Sequence, residues 1–157
     1  MQPRIDYRKA APGAVQAMLA LEEYVRLSGL EPALLDLIKT RASQLNGCAY
    51  CIDMHTKDAR ARGETEQRLY ELSAWREAPF FSLRERAALA WTEAVTLIAD
   101  SHAPDGVYDE ARRVFSEKEL VDLTLAIVAI NGWNRLAISM RTVPGTYQPA
   151  ARAGERR

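Results

Sequence analysis

The chain has 157 residues, a length typical of one domain that buries about two-thirds of its unfolded surface. Its 21 basic and 21 acidic side chains sum to a formal net charge of +0, which argues against nucleic acid or an anionic membrane as the main partner, because both attract basic surfaces. The N-terminal MQPRIDYRKAAPG lacks the apolar core of a signal peptide, and the longest apolar run, LAIVAI at 125–130, is far shorter than the ~20 residues of a membrane-spanning helix. We therefore expect a cytoplasmic protein without a membrane segment.

Helical periodicity recurs along the chain, whereas the alternation typical of strands is almost absent. In the first half, Pro12 suits a first helical turn and Gly29 a helix end, and Gly63 can end a later helix. Thr65 can cap the short helix that follows. The helices predicted in this half cover residues 12–28, 32–45, 48–62 (after the Asn-Gly break at 46–47) and a short stretch from the Thr65 cap through Leu72.

Two capping boxes mark helix starts in the second half of the chain, Ser82 with Glu85 and Ser116 with Glu119. Three helices are predicted there: a long one through Ile98, a short one around 107–114, and a last one through Ile130 and beyond. The whole pattern predicts an all-α domain, a compact bundle of six to seven helices over residues 1–142. Residues 143–157 carry Pro, Gly and charge without periodicity, so we expect a C-terminal tail that can lie on a neighbouring subunit.

Both cysteines and one of the two histidines lie in SQLNGCAYCIDMH, residues 43–55. On a helix that begins at Cys48, Cys48 and Cys51 share one face at i and i+3, and His55 follows Cys51 at i+4. Cys48 lies in the first turn, where unpaired backbone N–H groups and the helix dipole favour a thiolate. His55 can accept a proton from Cys51 or stabilise its thiolate. The spacing predicts a dithiol that can close as a disulfide, with a base one turn away.

Other interpretations of these residues stay open at this point. A buried cysteine is often a small apolar core residue. Cys48, Cys51 and His55 offer three soft ligands, but structural zinc takes four, and His102 lies in a distant loop, so no metal site is expected. A thioredoxin-like site requires a strand before the CxxC motif, and none is predicted. Asp36 lies twelve residues before Cys48 and either faces the dithiol from the preceding helix or is a solvated surface residue.

A few polar residues stand out on otherwise apolar helices. Glu93 lies among apolar residues and either points into a site or lies on an exposed helix face, and we expect the exposed face. Asn131, Asn134 and Arg135 lie in the strongly apolar last helix, where buried polar groups need partners. We therefore expect these three side chains to pack and hydrogen-bond at a pocket or an inter-subunit contact, and we assign them no catalytic role.

The segment from Asp36 to Arg60, DLIKTRASQLNGCAYCIDMHTKDAR, resembles the core motif of the AhpD-like (alkyl hydroperoxidase D) branch of the carboxymuconolactone decarboxylase superfamily. That motif consists of a carboxylate, a spacer ending in Asn-Gly, a CxxC pair and a histidine four residues after the second cysteine. The stretches WREAPFFSLRERAALAWTEAVTLI and AIVAINGWNRLAISMR also resemble short members of this branch. The resemblance covers most of the chain, from about residue 15 to residue 142.

This resemblance implies an all-α protein that assembles as a homo-oligomer, a trimer or a hexamer, and reduces hydroperoxides without a metal or cofactor. By position in the motif, Cys51 is the thiol that attacks the peroxide, Cys48 the resolving thiol and proton donor, and His55 the relay base. Asp36 stands where the family usually has glutamate, and its shorter side chain means that a water has to bridge or the relay is weaker. A dithiol electron donor, a lipoylated protein or a thioredoxin-like protein, restores the thiols.

Two other functions remain as alternatives. One is an oligomer that senses oxidation or binds a partner without turnover. The other is a decarboxylase-type activity, whose enzymes act on a lactone carboxylate and do not rely on a CxxC pair. The presence of Cys48, Cys51 and His55 together favours redox chemistry.

Overall fold

The computed structural model describes residues 2–149. Within this range the chain forms α-helices and one 3₁₀ turn, with no strand, which confirms the all-α prediction. Seven of the helices have six or more residues, in agreement with the predicted six to seven. The helices are α1 (Tyr7–Ala10), α2 (Pro12–Leu27), α3 (Pro32–Asn46), α4 (Ala49–Arg62), α5 (Glu66–Glu71), α6 (Leu83–Thr96), α7 (Ile98–Ser101), α8 (Asp105–Val114) and α9 (Glu117–Met140), and the 3₁₀ turn covers Leu72–Ala74.

The junction between α3 and α4 places the first cysteine. Gly47 adopts a left-handed conformation with φ 69°, which favours glycine because a Cβ is strained there. The N–H of Gly47 donates to the Gln44 carbonyl at 3.2 Å, and the N–H of Cys48 donates to the Ser43 carbonyl at 2.9 Å, so the last carbonyls of α3 are satisfied. Cys48 then takes the extended N-cap conformation of α4. The break predicted at Asn-Gly is therefore confirmed.

Both predicted capping boxes are formed, since each serine and each glutamate makes its reciprocal hydrogen bond. The long helix predicted to run through Ile98 ends earlier, at Thr96, and α7 follows as a separate turn. The hydroxyl of Ser101 donates to the Ala94 carbonyl at 2.6 Å. In an uninterrupted helix this carbonyl would accept the N–H of Ile98, four residues later. A side-chain hydroxyl thus replaces the backbone donor, and the chain turns.

The last helix, α9, is the central element of the core. It packs against α2, α3 and α6, and Leu123, Ile127 and Ile130 on its inner face are fully buried. By length and composition alone α9 is able to cross a membrane, but a core helix of a folded domain meets the same criteria. At Gly132 a Cβ would lie 2.8 Å from the terminal methyl of Met18, so a larger residue there would have to displace the end of that side chain.

The described part of the predicted tail lies along α4 of its own chain. The N–H of Gly145 donates to Asp53 at 3.0 Å, Lys57 donates to the Tyr147 carbonyl at 3.1 Å, and the Tyr147 hydroxyl donates to Asp58 at 2.8 Å. Residues 150–157 of that tail lie outside the described residues, and the domain boundary at residue 142 stays a prediction.

Candidate functional site

Cys48 and Cys51 form a buried pair of free thiols at the N-terminus of α4. Each residue is 1% exposed, and the N–H of Cys51 donates to the Cys48 sulfur at 3.4 Å. Ala42 from α3 and Ile130 from α9 pack against the pair. The two thiols thus lie against one another, and apolar side chains of α3 and α9 cover part of their surroundings.

The two thiols differ in acidity because of their hydrogen bonds. The thiol of Cys51 donates a hydrogen bond to the Cys48 sulfur, and this bond lowers the pKa of Cys48 most. Hydrogen bonds from the N–H groups of Cys51 and Tyr50 and from the Asn134 amide act in the same direction. Burial opposes them, and the pKa of Cys48 falls to about 7. The same hydrogen bond, together with burial, raises the pKa of Cys51. In the reduced protein the shared proton therefore resides on Cys51, and Cys48 has the greater thiolate character.

Asn134 of α9 connects the thiols to the end of α3. Its amide interacts with both sulfurs and donates to the Ser43 hydroxyl at 3.1 Å. Its side-chain oxygen accepts a hydrogen bond from Asn46 at 2.9 Å, and Asn46 also donates to Asn131 at 3.0 Å. The structure thus gives Asn131 and Asn134 the hydrogen-bonded packing role expected from the sequence, and it adds Asn46 and Ser43 to the site. Sequence spacing gave no signal for these partners, because they lie on different helices.

His55 lies one turn beyond Cys51 and is 7% exposed. Its Nε2 atom is buried and has no hydrogen-bond partner among the described residues. Burial, assisted by the positive charges of Lys39 and Arg62, lowers the pKa of His55 to about 3. The imidazole is therefore neutral at physiological pH and has one polar atom available to a ligand, a water or a thiol.

A cavity of about 300 Å³ gives access to Cys51 and His55. Side chains from α1, α2, α3, α4 and α9 surround it. Its apolar wall consists of Leu19, Tyr50, Met54, Trp133 and Ala137, and its charged side chains are Arg8, Glu22, Lys39 and Asp58. The contribution of α1 was not predicted, since a helix of four residues has no periodic pattern. The cavity can hold a small organic molecule against the Cys51 thiol.

Asp36 is buried but does not line this cavity. Nη1 of Arg62, near the end of α4, lies 2.5 Å from each Asp36 oxygen. Burial raises the pKa of Asp36, and the hydrogen bond and charge of Arg62 oppose that rise. Both side chains border a second cavity of about 430 Å³ beside α2 and α3. The relay role of Asp36 stays a prediction, and its Arg62 partner was not foreseen.

The expectation for Glu93 is wrong. Its side chain is only 14% exposed and accepts hydrogen bonds from Arg41 and from the Trp75 indole, each at 2.8 Å, and it also pairs with Arg76. A glutamate among apolar residues can be buried when several cations and donors surround it. His102 is exposed, as expected, and lies outside the site.

Comparisons with known proteins agree with this architecture. The model of the Carboxymuconolactone decarboxylase family matches residues 12–94. The uncharacterized protein YdfG of Bacillus subtilis (strain 168) is 47% identical over 140 residues, which cover 89% of this chain and 95% of YdfG.

Solved structures show the same fold. A protein of unknown function from Agrobacterium tumefaciens, provisionally described as antioxidant defence protein AhpD, superposes with a TM-score of 0.90 at 48% identity, over 93% of this chain and 100% of that one. The alkylhydroperoxidase AhpD core of an uncharacterized peroxidase-related protein from Ralstonia eutropha JMP134 has a TM-score of 0.77 at 20% identity, over 88% of this chain and 74% of that one, and shares the fold. The chain belongs to the carboxymuconolactone decarboxylase family, within its AhpD-like branch.

Proposed function

We propose that this protein is a thiol-dependent peroxidase that reduces organic hydroperoxides through a Cys48–Cys51 dithiol–disulfide cycle. The observation that supports it most directly is the single cavity shared by Cys51 and the unpartnered Nε2 atom of His55, with the more acidic thiol of Cys48 directly behind. Membership of the AhpD-like branch supports the same class of chemistry. The cycle uses sulfur chemistry alone, so it needs no metal or prosthetic group.

The proposed cycle balances in three steps. The Cys51 thiolate attacks one peroxide oxygen, so a sulfur–oxygen bond forms, the oxygen–oxygen bond breaks, and the alcohol leaves with a proton. The Cys48 thiolate then attacks the Cys51 sulfenic sulfur, so a sulfur–sulfur bond forms and the sulfur–oxygen bond breaks, and the departing hydroxide takes up the proton that Cys48 had lost and leaves as water. A dithiol donor, a lipoylated or thioredoxin-like protein, returns two electrons and two protons by thiol–disulfide exchange.

The first step requires that Cys51 lose the proton it shares with Cys48. His55 is neutral and opens into the same cavity, so we assign it the role of proton acceptor. By position in the motif, Asp36 is the proposed carboxylate of this relay. Any such role requires that Asp36 act while Arg62 holds both of its oxygens, or that Arg62, whose side chain is 51% exposed, move aside.

The test is a stopped-flow reaction of the reduced protein with cumene hydroperoxide, followed by a count of the remaining thiols. We expect wild-type protein to lose two thiols per peroxide, and Cys48→Ser to leave a trappable sulfenic acid on Cys51. His55→Gln is expected to slow the reaction by about tenfold or more, whereas His102→Gln, the matched control, is expected to leave it unchanged. The peroxidase proposal fails if Cys51 reacts no faster than free cysteine. A sulfenic acid on Cys48 in Cys51→Ser, together with no sulfenic acid on Cys51 in Cys48→Ser, reverses the two roles.

A redox sensor without turnover is the second candidate. The observation that favours it is the burial of both sulfurs, each residue being 1% exposed, since a sensor need not admit a bulky donor at every cycle. Steady-state consumption of peroxide with dihydrolipoamide as the donor separates the two functions. Many turnovers per protein support the peroxidase, and a single oxidation per protein supports the sensor.

The remaining proposals concern context. We propose a cytoplasmic location, where dithiol donors keep such a pair reduced, and a homo-oligomer, a trimer or a hexamer. Exposed apolar side chains on α2 and α9, among them Leu27 and Val121, support assembly.

A further inference from the structure

Asn134 is a buried amide on the face of α9 that packs against the dithiol, and its side chain is 0% exposed. Ile130 and Ala137, four positions before it and three after, pack in one cluster with Cys48 and Cys51. Residues at these spacings share a helix face, so Asn134 lies on the side of α9 that meets the thiols. An amide buried this completely needs partners for its oxygen and for both of its N–H groups.

Two hydrogen bonds decide which end of the Asn134 amide faces the sulfurs. The Asn46 side-chain nitrogen donates to the Ala42 carbonyl at 2.9 Å, so it is a donor, and the Asn134 atom 2.9 Å from it has to be the oxygen. The Ser43 hydroxyl uses its proton on the Lys39 carbonyl at 2.7 Å, so it accepts from Asn134, whose nitrogen lies 3.1 Å away. One N–H of Asn134 is thus used by Ser43, and the other is left for the dithiol.

That amide group acts on both sulfurs. The largest influence on the pKa of Cys48 is the hydrogen bond from the Cys51 thiol, and the same bond is the largest influence on the pKa of Cys51. Hydrogen bonds from Asn134 act to lower the pKa of each thiol. A donor that contacts both sulfurs stabilises negative charge on either of them, before and after Cys51 gives up its proton.

We propose that the Asn134 carboxamide stabilises the thiolate form of both sulfurs and thereby sets the reduction potential of the Cys48–Cys51 pair. When the disulfide closes, a sulfur–sulfur bond forms and two electrons pass to an oxidised dithiol. That dithiol takes the Cys51 proton and one proton from solvent as its own disulfide opens. The charge that Asn134 stabilises is then gone, so the carboxamide favours the reduced pair and makes it a stronger oxidant. This role depends on the dithiol–disulfide cycle proposed above, but not on its reaction with peroxide.

The first test is an ultraviolet titration of the reduced protein, which follows thiolate absorption and needs no substrate. Asn134→Leu replaces the amide by an apolar side chain of similar size and removes the donor. We expect it to raise the first thiolate midpoint of the pair by about one pH unit or more. His55 does not interfere, because its pKa of about 3 keeps it neutral between pH 6 and 9.

The second test is the equilibrium of the pair with reduced and oxidised dithiothreitol, measured by counting thiols at pH 6 and pH 9. If the first midpoint rises from about 7 by about one unit, the disulfide of Asn134→Leu is favoured about tenfold more than that of wild type at pH 9, a potential about 30 mV more negative. At pH 6 both proteins are largely protonated, so we expect little difference. A packing defect without a role for the donor acts equally at both pH values.

Asn131→Leu is the matched control on the same helix. Asn131 accepts from Asn46 at 3.0 Å and so belongs to the same network. Its own amide nitrogen donates to the Thr96 hydroxyl at 3.0 Å and to the Ile127 carbonyl at 2.9 Å, so its N–H groups are used away from the sulfurs. Asn131→Leu therefore disturbs the network but leaves the sulfur donor in place, and we expect the first thiolate midpoint to stay unchanged.

The titratable groups around the dithiol are the same in wild type and in both variants. Those that line its cavity are Tyr7 and Arg8 of α1, Glu22 of α2, Lys39 of α3, and Tyr50, His55 and Asp58 of α4. From α9, Arg135 donates to the carbonyl and the side-chain oxygen of Asn131, each at 3.0 Å. An effect of Arg135 on the thiols would therefore appear in Asn131→Leu, the variant that removes its partner.

An unchanged or lowered first midpoint in Asn134→Leu overturns the inference, as does an equal rise in Asn131→Leu or an equal change of potential at pH 6 and pH 9. If Asn134→Leu does not unfold cooperatively, nuclear magnetic resonance of the wild-type protein decides. The side-chain amide protons of Asn134 are expected to shift with the first thiolate midpoint and again on oxidation, by more than those of Asn131. Equal or smaller shifts overturn the inference. Failure of the peroxidase proposal is recognised separately, because it appears in the reaction with cumene hydroperoxide.

Discussion

Two buried carboxylates, Asp36 and Glu93, show at the residue scale how partners decide the state of a charge. Burial alone raises the pKa of either side chain. At Glu93 the hydrogen bonds from Trp75, Arg76 and Arg41 outweigh burial, and the pKa falls below its ordinary 4.5. At Asp36 the single partner Arg62 does not outweigh burial, and the pKa lies above its ordinary 3.8. Glu93 thus has three donors, whereas Asp36 has one and also lies near the negative charge of Asp58, and these differences give the two pKa values opposite shifts.

The first stability prediction concerns Asp36→Asn. A carboxyl group whose folded pKa is raised contributes most to stability below its unfolded pKa, and this contribution is lost as the pH rises through the folded value. We therefore expect Asp36→Asn to increase the free energy of unfolding at pH 7 by about 1 kcal/mol. The loss of the ion pair costs little, because the Arg62 side chain is half exposed and can be solvated when unpaired. Urea unfolding at several pH values measures this, and the advantage is expected to vanish below about pH 4.

Glu93→Gln is the matched contrast. A lowered folded pKa contributes stability that is present above the unfolded value and is lost as the pH falls through the folded value. Glu93→Gln is therefore expected to destabilise the protein at pH 7 by about 1–3 kcal/mol, with the difference shrinking in acid. If Asp36→Asn were also strongly destabilising at pH 7, the assigned balance at Asp36 would be wrong.

At the scale of elements, the α3–α4 junction determines where the dithiol lies. Gly47 ends α3, and Cys48 follows at once as the N-cap of α4, so its sulfur accepts the N–H of Cys51, the third residue of the helix. The Cys51 thiol lowers the pKa of Cys48 most, and the N–H groups of Cys51 and Tyr50 at this helix end add to that effect. A change of backbone at Gly47 therefore acts on both the helix boundary and the thiol.

Gly47→Ala tests this junction. The left-handed φ of 69° is strained for alanine, so we expect a loss of about 1 kcal/mol in unfolding free energy and a higher thiol pKa for Cys48. Denaturant unfolding and ultraviolet thiolate titration measure the two effects. Gly13→Ala is the control: no atom lies within 4 Å of its added Cβ and no positive φ is required, so a small stabilisation is expected. Equal effects from both substitutions would contradict the argument.

At the scale of the whole molecule, an apolar strip crosses the seam between α2 and α9. It consists of Tyr24, Leu27, Val121 and Val128, which are 48–66% exposed. The Tyr24 hydroxyl donates to Asp122 at 2.8 Å, which brings the two helices' outer faces together. Exposed apolar side chains gathered on neighbouring helices commonly mark an interface between protein chains.

The strip predicts self-association. We expect light scattering after gel filtration to give about three or six times the chain mass of 17.6 kDa. Val128→Lys is expected to weaken the assembly, because an interface core excludes an unpaired charge. Leu83→Lys, at an 80% exposed position outside the strip, is the control and is expected to leave the mass unchanged. A wild-type protein that elutes as a monomer, or equal effects of both variants, would refute the role of the strip.

The sequence by itself determined the helical architecture and the order of Cys48, Cys51 and His55 on one helix. These features depend on contacts within one helix or turn: caps, a left-handed glycine and the i to i+4 spacing. The missed helix α1 and the early end of the helix at Thr96 show the limit of this local information, since a four-residue helix has no period and the Ser101 hydrogen bond replaces a backbone donor.

Only the tertiary structure decided which polar groups meet the dithiol. Asp36 and Arg62 are separated by 26 positions, Ser43 and Asn134 by 91, and Glu22 and Trp133 by 111. Such pairs form because apolar faces of different helices pack and bring their polar residues together, and periodicity within one helix carries no information about the partner helix. Resemblance to the family motif, and not the twelve-residue spacing alone, predicted Asp36 as the carboxylate of the site. Packing holds Asp36 against Arg62 and places Glu22 beside the dithiol cavity, and neither contact could be predicted from the sequence.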